Sequence, residues 1–489
     1  MGPERLRGGP VDGSGLGLLQ DVAAAVGGRV LAGAPDLRLA AVAADTRAVR
    51  PGDLFCALRG ERVDAHQLLG EAFAAGAAAA LVDRPAGDVW SLPAVPAGRG
   101  VVWVPAAVPA LASLAYHHLR RVRSQVPLRV TAVTGSVGKT GTRTLIAAAL
   151  GADGQSVLSP ERSFNTEITV PLVCLRADAQ HRQAVLELAM RGPGQIAQLA
   201  AICQPDVGVL TVIGESHLEL LGSVEAIARA KGELLHALGS DGLAVLNADD
   251  PWQRRLAAGC PAPVCWYGED AAADVRAEAA EVDEDGRWRF RAVVAGRSWW
   301  VRLRLLGRHQ IHAALAALAC AHHAGVDMEA AITALARVGP HPGRLDRRRA
   351  GRLWVLDDAF NAAPLSVLAA LKTLTTLAPA GGRAAVLGDM RELGAASRPG
   401  HRQVGEAAAA AGLAFLLAVG PLAGDIADGA LRAGMPAGRV LRVDDAAGAL
   451  EALGPLLARL PDGATVLVKG AHAVGLDRVV TELASPDAP

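Results

Sequence analysis

One short stretch constrains this chain more than any other: Gly135-Ser136-Val137-Gly138-Lys139-Thr140, standing between the β-branched apolar run Leu128 to Val133 and an Ala/Leu-rich segment ending at Leu150. A strand, a glycine turn and a helix in that order belong to a parallel α/β sheet, with the turn at the carboxyl end of the strand where such sheets bind ligands. Glycines let backbone N–H groups curl inward around phosphates, and the helix N-terminus adds positive potential. Lys139 is then placed for the terminal phosphates and Thr140 to offer its hydroxyl to Mg²⁺. The full motif carries a further glycine two residues before Gly135, where Val133 stands, so this is a shortened phosphate loop. Gly135, Ser136, Val137, Gly138, Lys139, Thr140 and Gly141 are the candidate ATP contacts.

The 489 residues around this loop have the length of about three domains. Lys+Arg 49 balances Asp+Glu 49, and aromatic residues are only 3%, so neither a basic surplus for a phosphate backbone nor a stacking platform for bases is present. Nucleic acid is not the expected partner. The six cysteines form no C-x-x-C pair, which fits a reducing cytoplasm rather than a disulfide framework or zinc ribbon. The opening residues lack a sustained apolar stretch, and the Ala-rich run from 72 to 82 is too short to span a bilayer. The expectation is a cytoplasmic α/β protein without a membrane span.

The first ten residues, rich in Gly and Pro, are expected to fray. Up to about Pro109, short β-like pieces surround an Ala-rich helical piece at 68 to 80, and 114 to 126 reads as a helix. From there to about 338, strand-like AVLEL, VGVLTVI and LAVLNA alternate with helix-like IAQLAAICQ, SVEAIARAKGELLHAL and HAALAALACAHHAG. Residues 273 to 306 break the pattern, alternating polar and apolar around Asp-Gly and Ala-Gly as antiparallel hairpins do. The Pro- and Arg-rich segment 339 to 352 reads as a linker, and the remainder is again α/β. The expected units are 15 to 112, 113 to 339 and 340 to 489.

Three single residues join the loop as candidates. Glu187 closes an apolar strand, where it is either a metal-anchoring carboxylate or a solvated strand end. His217 follows another apolar strand and Lys231 lies on the next amphipathic stretch, and each alone reads more readily as structural or solvated than as catalytic.

From Asp45 onward the segments DTRAVRPGDLFCALRGERVDAH, TGSVGKTGTR, SFNTEITVPL, LELAMRGPGQI, SHLELLGSVEAIARAKGEL, LNADD, GRHQIHAALAA, PGRL, DDAFNAAP, LGDMRELG and VKG follow one another in an order that resembles the Mur ligases of peptidoglycan synthesis, most closely the MurF branch. The resemblance implies an N-terminal unit for a UDP-sugar peptide, a central P-loop ATPase and a C-terminal Rossmann-like unit. It implies an ADP-forming ligase joining D-alanyl-D-alanine to UDP-N-acetylmuramoyl-tripeptide through an acyl phosphate, in a protein expected to be a monomer. By the same resemblance Lys139, Lys231, His217 and Glu187 are catalytic; Thr140, Glu187, His217 and a carbamate on Lys231 hold Mg²⁺; and Gln310, Arg344, Asp358 and Asn361 serve ATP. Thr46, Arg47, Asp64, His66, Asn165, Thr166 and Lys469 fall to the other substrates.

The chain departs from the family pattern at several places. Gln310 and Ala313 replace two asparagines on the adenine side, Phe360 replaces a tyrosine and Ala363 an asparagine, while Ala189, Thr169 and Ala471 replace two glycines and a serine. The phosphate end is thus intact and the base end thinned, with the expectation that asparagine at both 310 and 313 would tighten ATP. These departures leave open a paralogous ligase with another acid or amine, of secondary-metabolite or cyanophycin type, and a non-catalytic nucleotide-binding homologue.

Overall fold

A computed structural model describes residues 6–10, 14–60, 63–84, 95–160, 162–216 and 218–484. Three sheets dominate. The central one has nine strands in the order Ser156–Leu158, His181–Glu187, Arg129–Thr134, Val207–Leu210, Leu243–Asn247, Val264–Gly268, Val275–Val282, Arg287–Val294 and Arg297–Leu306. The first seven are parallel and the last two fold back antiparallel, so the expected hairpins extend one edge of the sheet. Their second turn places Ala295 and Gly296 at φ +48° and +76°, the left-handed pair that a two-residue hairpin requires.

The phosphate-loop strand Arg129–Thr134 lies between His181–Glu187 and Val207–Leu210, with Glu187 opposite Val133 and Leu210 opposite Thr134. Three parallel strands therefore end side by side, and whatever follows each of them meets at one place. Behind it, helix Lys139–Leu150 buries Leu145, Ile146, Ala149 and Leu150, each large aliphatic contributing about 1.5–3 kcal/mol of transfer free energy. Helix Gln310–His323 packs on it and is buried from Ala313 through Ala321. A helix apolar all round belongs to an interior, and its alanines allow close approach.

The N-terminal sheet is ordered Arg7–Gly8, Val42–Ala43, Leu54–Cys56, Ala79–Val82, Gly100–Trp103, Arg29–Ala32, and the C-terminal sheet Asp346–Ala350, Leu353–Asp357, Thr465–Lys469, Arg383–Gly388, Phe415–Val419, Val440–Val443.

Four local expectations are corrected. The Ala-rich piece at 68 to 80 is helical only over Leu69–Ala74 and becomes strand at Ala79–Val82, because Gly76 at φ +107° turns the chain back. Residues 6–10 are held, not frayed: Arg7 grips buried Asp53 through two bonds of 2.6 and 2.9 Å, and Gly8 lies against the Leu172 carbonyl. The helix expected at 114 to 126 is Ala107–Arg123, which runs through the 112/113 division. In the linker only 339 to 345 is irregular, since Asp346–Ala350 is already an edge strand.

Candidate functional site

The phosphate loop keeps its shape through its own backbone and through the segment after Val207–Leu210. Gly135 sits at φ +148°, where a Cβ would come within 1.9 Å of Thr211 Oγ1, and Gly138 at φ +85°. Only glycine fits the first position. The Thr211 hydroxyl donates to the Val137 carbonyl at 2.6 Å. Ser136 Oγ donates to the Gly214 carbonyl at 2.8 Å and accepts the Gly214 N–H at 3.0 Å.

Lys139 Nζ folds over the loop, donating to the carbonyls of Gly135 (2.8 Å) and Ser136 (3.2 Å). Burial lowers its ammonium from the ordinary value, while Glu187 pulls the other way. Glu187, 2% exposed, has both carboxylate oxygens occupied: Thr140 Oγ1 donates to Oε2 at 2.8 Å and Asn165 Nδ2 to Oε1 at 2.7 Å. Ser163 Oγ lies 2.9 Å from Thr140 Oγ1, and Arg344 Nη2 donates to Ser163 Oγ at 3.2 Å. A guanidinium only donates and a carboxylate only accepts, so this hydrogen-bond chain has one direction: Arg344 to Ser163 to Thr140 to Glu187.

Arg344 reaches the loop from the irregular stretch 339 to 345. Leu345 beside it has φ +52°, a strained conformation for a non-glycine residue, with its side chain buried in the C-terminal core. Its guanidinium also stacks over the Phe360 ring at 4.2 Å. Cation–π contact needs the ring face and no hydroxyl, which explains how phenylalanine serves where the family pattern has tyrosine. At Ala363 the missing side chain is covered similarly: the Ser366 hydroxyl accepts the Ala363 N–H at 3.0 Å.

Lys231, on helix Val224–His236, is 1% exposed. It has no hydrogen-bond or ion-pair partner among the described residues. Burial, then the charge of Lys139, pushes its amine well below the ordinary lysine value. His217 lies outside the described residues.

The remaining candidates fall into separate groups. Lys469 Nζ meets Asp358 Oδ2 at 2.6 Å and the Asn361 carbonyl at 2.8 Å, and burial raises the Asp358 carboxyl against the pull of Lys469. Gln310 opens its helix with Oε1 facing Gly141, 3.7 Å from where a Cβ would stand. Ala313, by contrast, packs with the core cluster of the central unit, 8% exposed. Thr166 is engaged with Thr169, their hydroxyls 3.0 Å apart.

In the N-terminal unit Asp45 accepts the Arg47 N–H at 2.9 Å, starting the 3₁₀ turn Thr46–Ala48, and Arg47 forks back onto the same carboxylate. Asp64 takes the fully buried His66 Nδ1 at 2.6 Å and Arg84 Nη2 at 2.5 Å. Burial opposes its charge, but these bonds hold the Asp64 carboxyl below the usual range.

Sequence reasoning missed Ser163, Thr211, His341 and Arg143. His341 Nε2 is 2.8 Å from Thr144 Oγ1, a contact between residues 197 apart that no local pattern announces. Arg143, four residues after Lys139 and therefore one helical turn on, carried a weak signal that position alone could not convert into a role.

A loop built to wrap phosphates, backed by a buried carboxylate and faced by an arginine from across a domain junction, equips an enzyme to move the terminal phosphoryl group of a nucleotide. The chain belongs to the Mur ligase family. The model of the Mur ligase family catalytic domain matches residues 38–118, that of the Mur ligase middle domain 133–321, and that of the Mur ligase glutamate ligase domain 343–472. A Mycobacterium tuberculosis protein named UDP-N-acetylmuramoyl-tripeptide–D-alanyl-D-alanine ligase is 37% identical over 473 residues, covering 91% of this chain and 92% of that one. The Escherichia coli protein of the same name is 37% identical over 392 residues, 79% and 82% of the two chains. Among solved structures, MurF from Acinetobacter baumannii superposes with a TM-score of 0.85 at 27% identity over 96% of this chain and 98% of that one. MurF from Thermotoga maritima, solved with ADP, gives 0.77 at 28% identity over 91% and 96%.

Proposed function

We infer that this protein is the ADP-forming ligase that joins D-alanyl-D-alanine to UDP-N-acetylmuramoyl-tripeptide in the synthesis of peptidoglycan precursor. The observation that carries the reading is the Glu187 carboxylate, at the end of a strand beside the phosphate-loop strand, taking Thr140 and Asn165 next to the Lys139 loop, in a chain 37% identical over nine-tenths of its length to a protein of that name.

ATP transfers its γ-phosphoryl group to the terminal carboxylate of the tripeptide. The amine of the dipeptide attacks the resulting acyl phosphate, and the tetrahedral intermediate collapses to the amide with loss of phosphate. No bond to the protein is formed, so this chain contributes positioning and charge. The Lys139 ammonium leaves the carbonyls of Gly135 and Ser136 for the terminal phosphates, and the Ser136 and Gly138 backbone wraps them. Arg344 brings positive charge from the far side of the junction.

Mg²⁺, when bound, supplies charge neutralisation between the β- and γ-phosphates. The residues fit it: a hydroxyl at Thr140 and a buried carboxylate at Glu187 are hard oxygen donors, with no cluster of three or more His, Cys, Asp or Glu among the described residues. Lys231 completes this proposal as a carbamate. Burial favours the neutral amine, which would add to CO₂ with release of one proton, so that a neutral nitrogen becomes an anionic carbamate that would offer an oxygen donor. His217 stays in the proposal by its sequence position alone.

Asp45, Thr46, Arg47, Asp64 and His66 are proposed to face the UDP-sugar peptide, with Asn165 and Thr166 nearer the reacting end. Asp358, Asn361 and Lys469, with Gln310, are proposed on the nucleotide and amine side. The units 15 to 112, 113 to 339 and 340 to 489, a monomeric state and a cytoplasmic location belong to the same reading; no helix among the described residues is long and apolar enough to cross a membrane.

The test is phosphate release from ATP with UDP-N-acetylmuramoyl-tripeptide, with and without D-alanyl-D-alanine. Release that requires both substrates supports the reading, and release that is indifferent to the dipeptide overturns it.

A further inference from the structure

Arg143 is the largest of the fully enclosed side chains, 2% exposed, on the helix that carries Lys139 and Thr140. An isolated buried guanidinium is costly, so its contacts should say what it is for. Nη1 donates to Ser159 Oγ at 2.7 Å and to the Pro160 carbonyl. Both acceptors begin the loop that delivers Ser163 to Thr140 and Asn165 to Glu187. The other edge of the guanidinium faces the carboxylate directly: Nε stands 3.9 Å from Glu187 Oε2, buried and with no hydrogen-bond partner of its own.

One side chain thus faces Glu187 directly and fastens the start of the segment that supplies Asn165 to it. Oε2 is held by Thr140, three residues before Arg143 on the same helix, and Oε1 by Asn165, in the loop that Arg143 anchors. The unused Nε–H keeps a positive charge facing Oε2 that does not depend on the Thr140 hydrogen bond.

We propose that Arg143 is a positioning residue that sets the orientation of the Glu187 carboxylate, through its charge and through the 159–165 loop, and thereby the Mg²⁺-dependent part of nucleotide binding. The inference rests on the reading of Glu187 as a metal-side carboxylate, and the experiment separates the two. ADP is titrated calorimetrically into the full-length protein with and without Mg²⁺, for wild type, Arg143→Met, Arg143→Lys and Glu187→Gln, with the melting temperature of each.

Arg143→Met should bind ADP about tenfold more weakly with Mg²⁺, as the loss of one charge-assisted interaction implies, and nearly as wild type without it. Arg143→Lys, which keeps the charge but not the fork onto Ser159 and Pro160, should recover part of that loss. Glu187→Gln should lose the same Mg²⁺-dependent part. Wild-type Mg²⁺ dependence in folded Arg143→Met, beside a loss in Glu187→Gln, would overturn the role of Arg143 and leave the reading of Glu187 standing. Wild-type Mg²⁺ dependence in Glu187→Gln would remove the reading itself. If Arg143→Met does not fold, Arg143→Lys decides: binding weakened only with Mg²⁺ supports the proposal, and unchanged binding refutes it.

Discussion

The phosphate end of the site and its base end are built on opposite plans. Around Glu187 both carboxylate oxygens and the hydroxyls of Thr140 and Ser163 are each answered by a partner within 3 Å, on elements packed against the central sheet. On the base side Gln310 offers one amide at a helix start, Ala313 is in the core, and Phe360 is 44% exposed. The first region cannot lose a member without stranding a buried partner, which is expensive. The second can drift, because what it presents is half in water. That contrast fits the retention of Lys139, Thr140, Glu187 and Asn165 beside the changes at Gln310, Ala313 and Phe360.

The contrast is broken most directly at Lys139. Lys139→Ala should lower kcat/KM by a factor of about 10³ or more, the scale of removing a charge from a developing phosphoryl transition state. Its melting temperature should stay near wild type, since the residue is half-buried and bonded only to loop carbonyls. Full amide synthesis by the variant would refute the phosphate-loop assignment. Lys231→Ala comes next: turnover should fall nearly to zero and return in part with acetate, and stripping CO₂ should slow wild type. Normal turnover in the alanine variant would end the carbamate idea.

Changes on the base side should be milder. Gln310→Ala should raise KM for ATP about fivefold, the value of one hydrogen bond net of water, with kcat little altered. Ala313→Asn should leave KM for ATP unimproved and lower the melting temperature, because its amide would enter an apolar core. A tighter KM for ATP in the Ala313→Asn variant would favour the sequence-based expectation over the cost of burying the amide.

The smallest effect is expected far from both ends. Asp64 is held below the usual carboxylate range, so its folded-state pKa lies under its unfolded one. Its contribution to stability is therefore complete above about pH 4 and is lost as the pH falls further. Asp64→Asn should cost about 1 kcal/mol at neutral pH and flatten the acid limb of the stability curve, as followed by urea unfolding. An unchanged limb would show that the bonds from His66 and Arg84 contribute nothing net.

Much of this was legible from residue order alone. The glycine loop, Glu187 at its strand end and the hairpins at 273 to 306 each depend on spacing within a few residues, and the structure places them as expected. What escaped depends on contacts between distant segments. Ser163 belongs to the site because Arg344, 181 residues away, bonds to it, and Arg143 reads as one more arginine until its burial is seen. Ala313 misled for the same reason in reverse: an alanine at an expected contact position suggested a gap, whereas the helix there is enclosed on every side.

The Ala107–Arg123 helix has a mechanical meaning of its own. Its buried apolar residues belong to a single cluster that runs from Leu16 to Ala262 and takes in one face of the first sheet and one face of the second. Most of the C-terminal apolar residues form clusters of their own. By cohesion the molecule is one large anvil and one smaller hammer joined at 339 to 345. If the acid and the phosphates are held as proposed above, they rest on the anvil, and closing the site requires moving only the hammer.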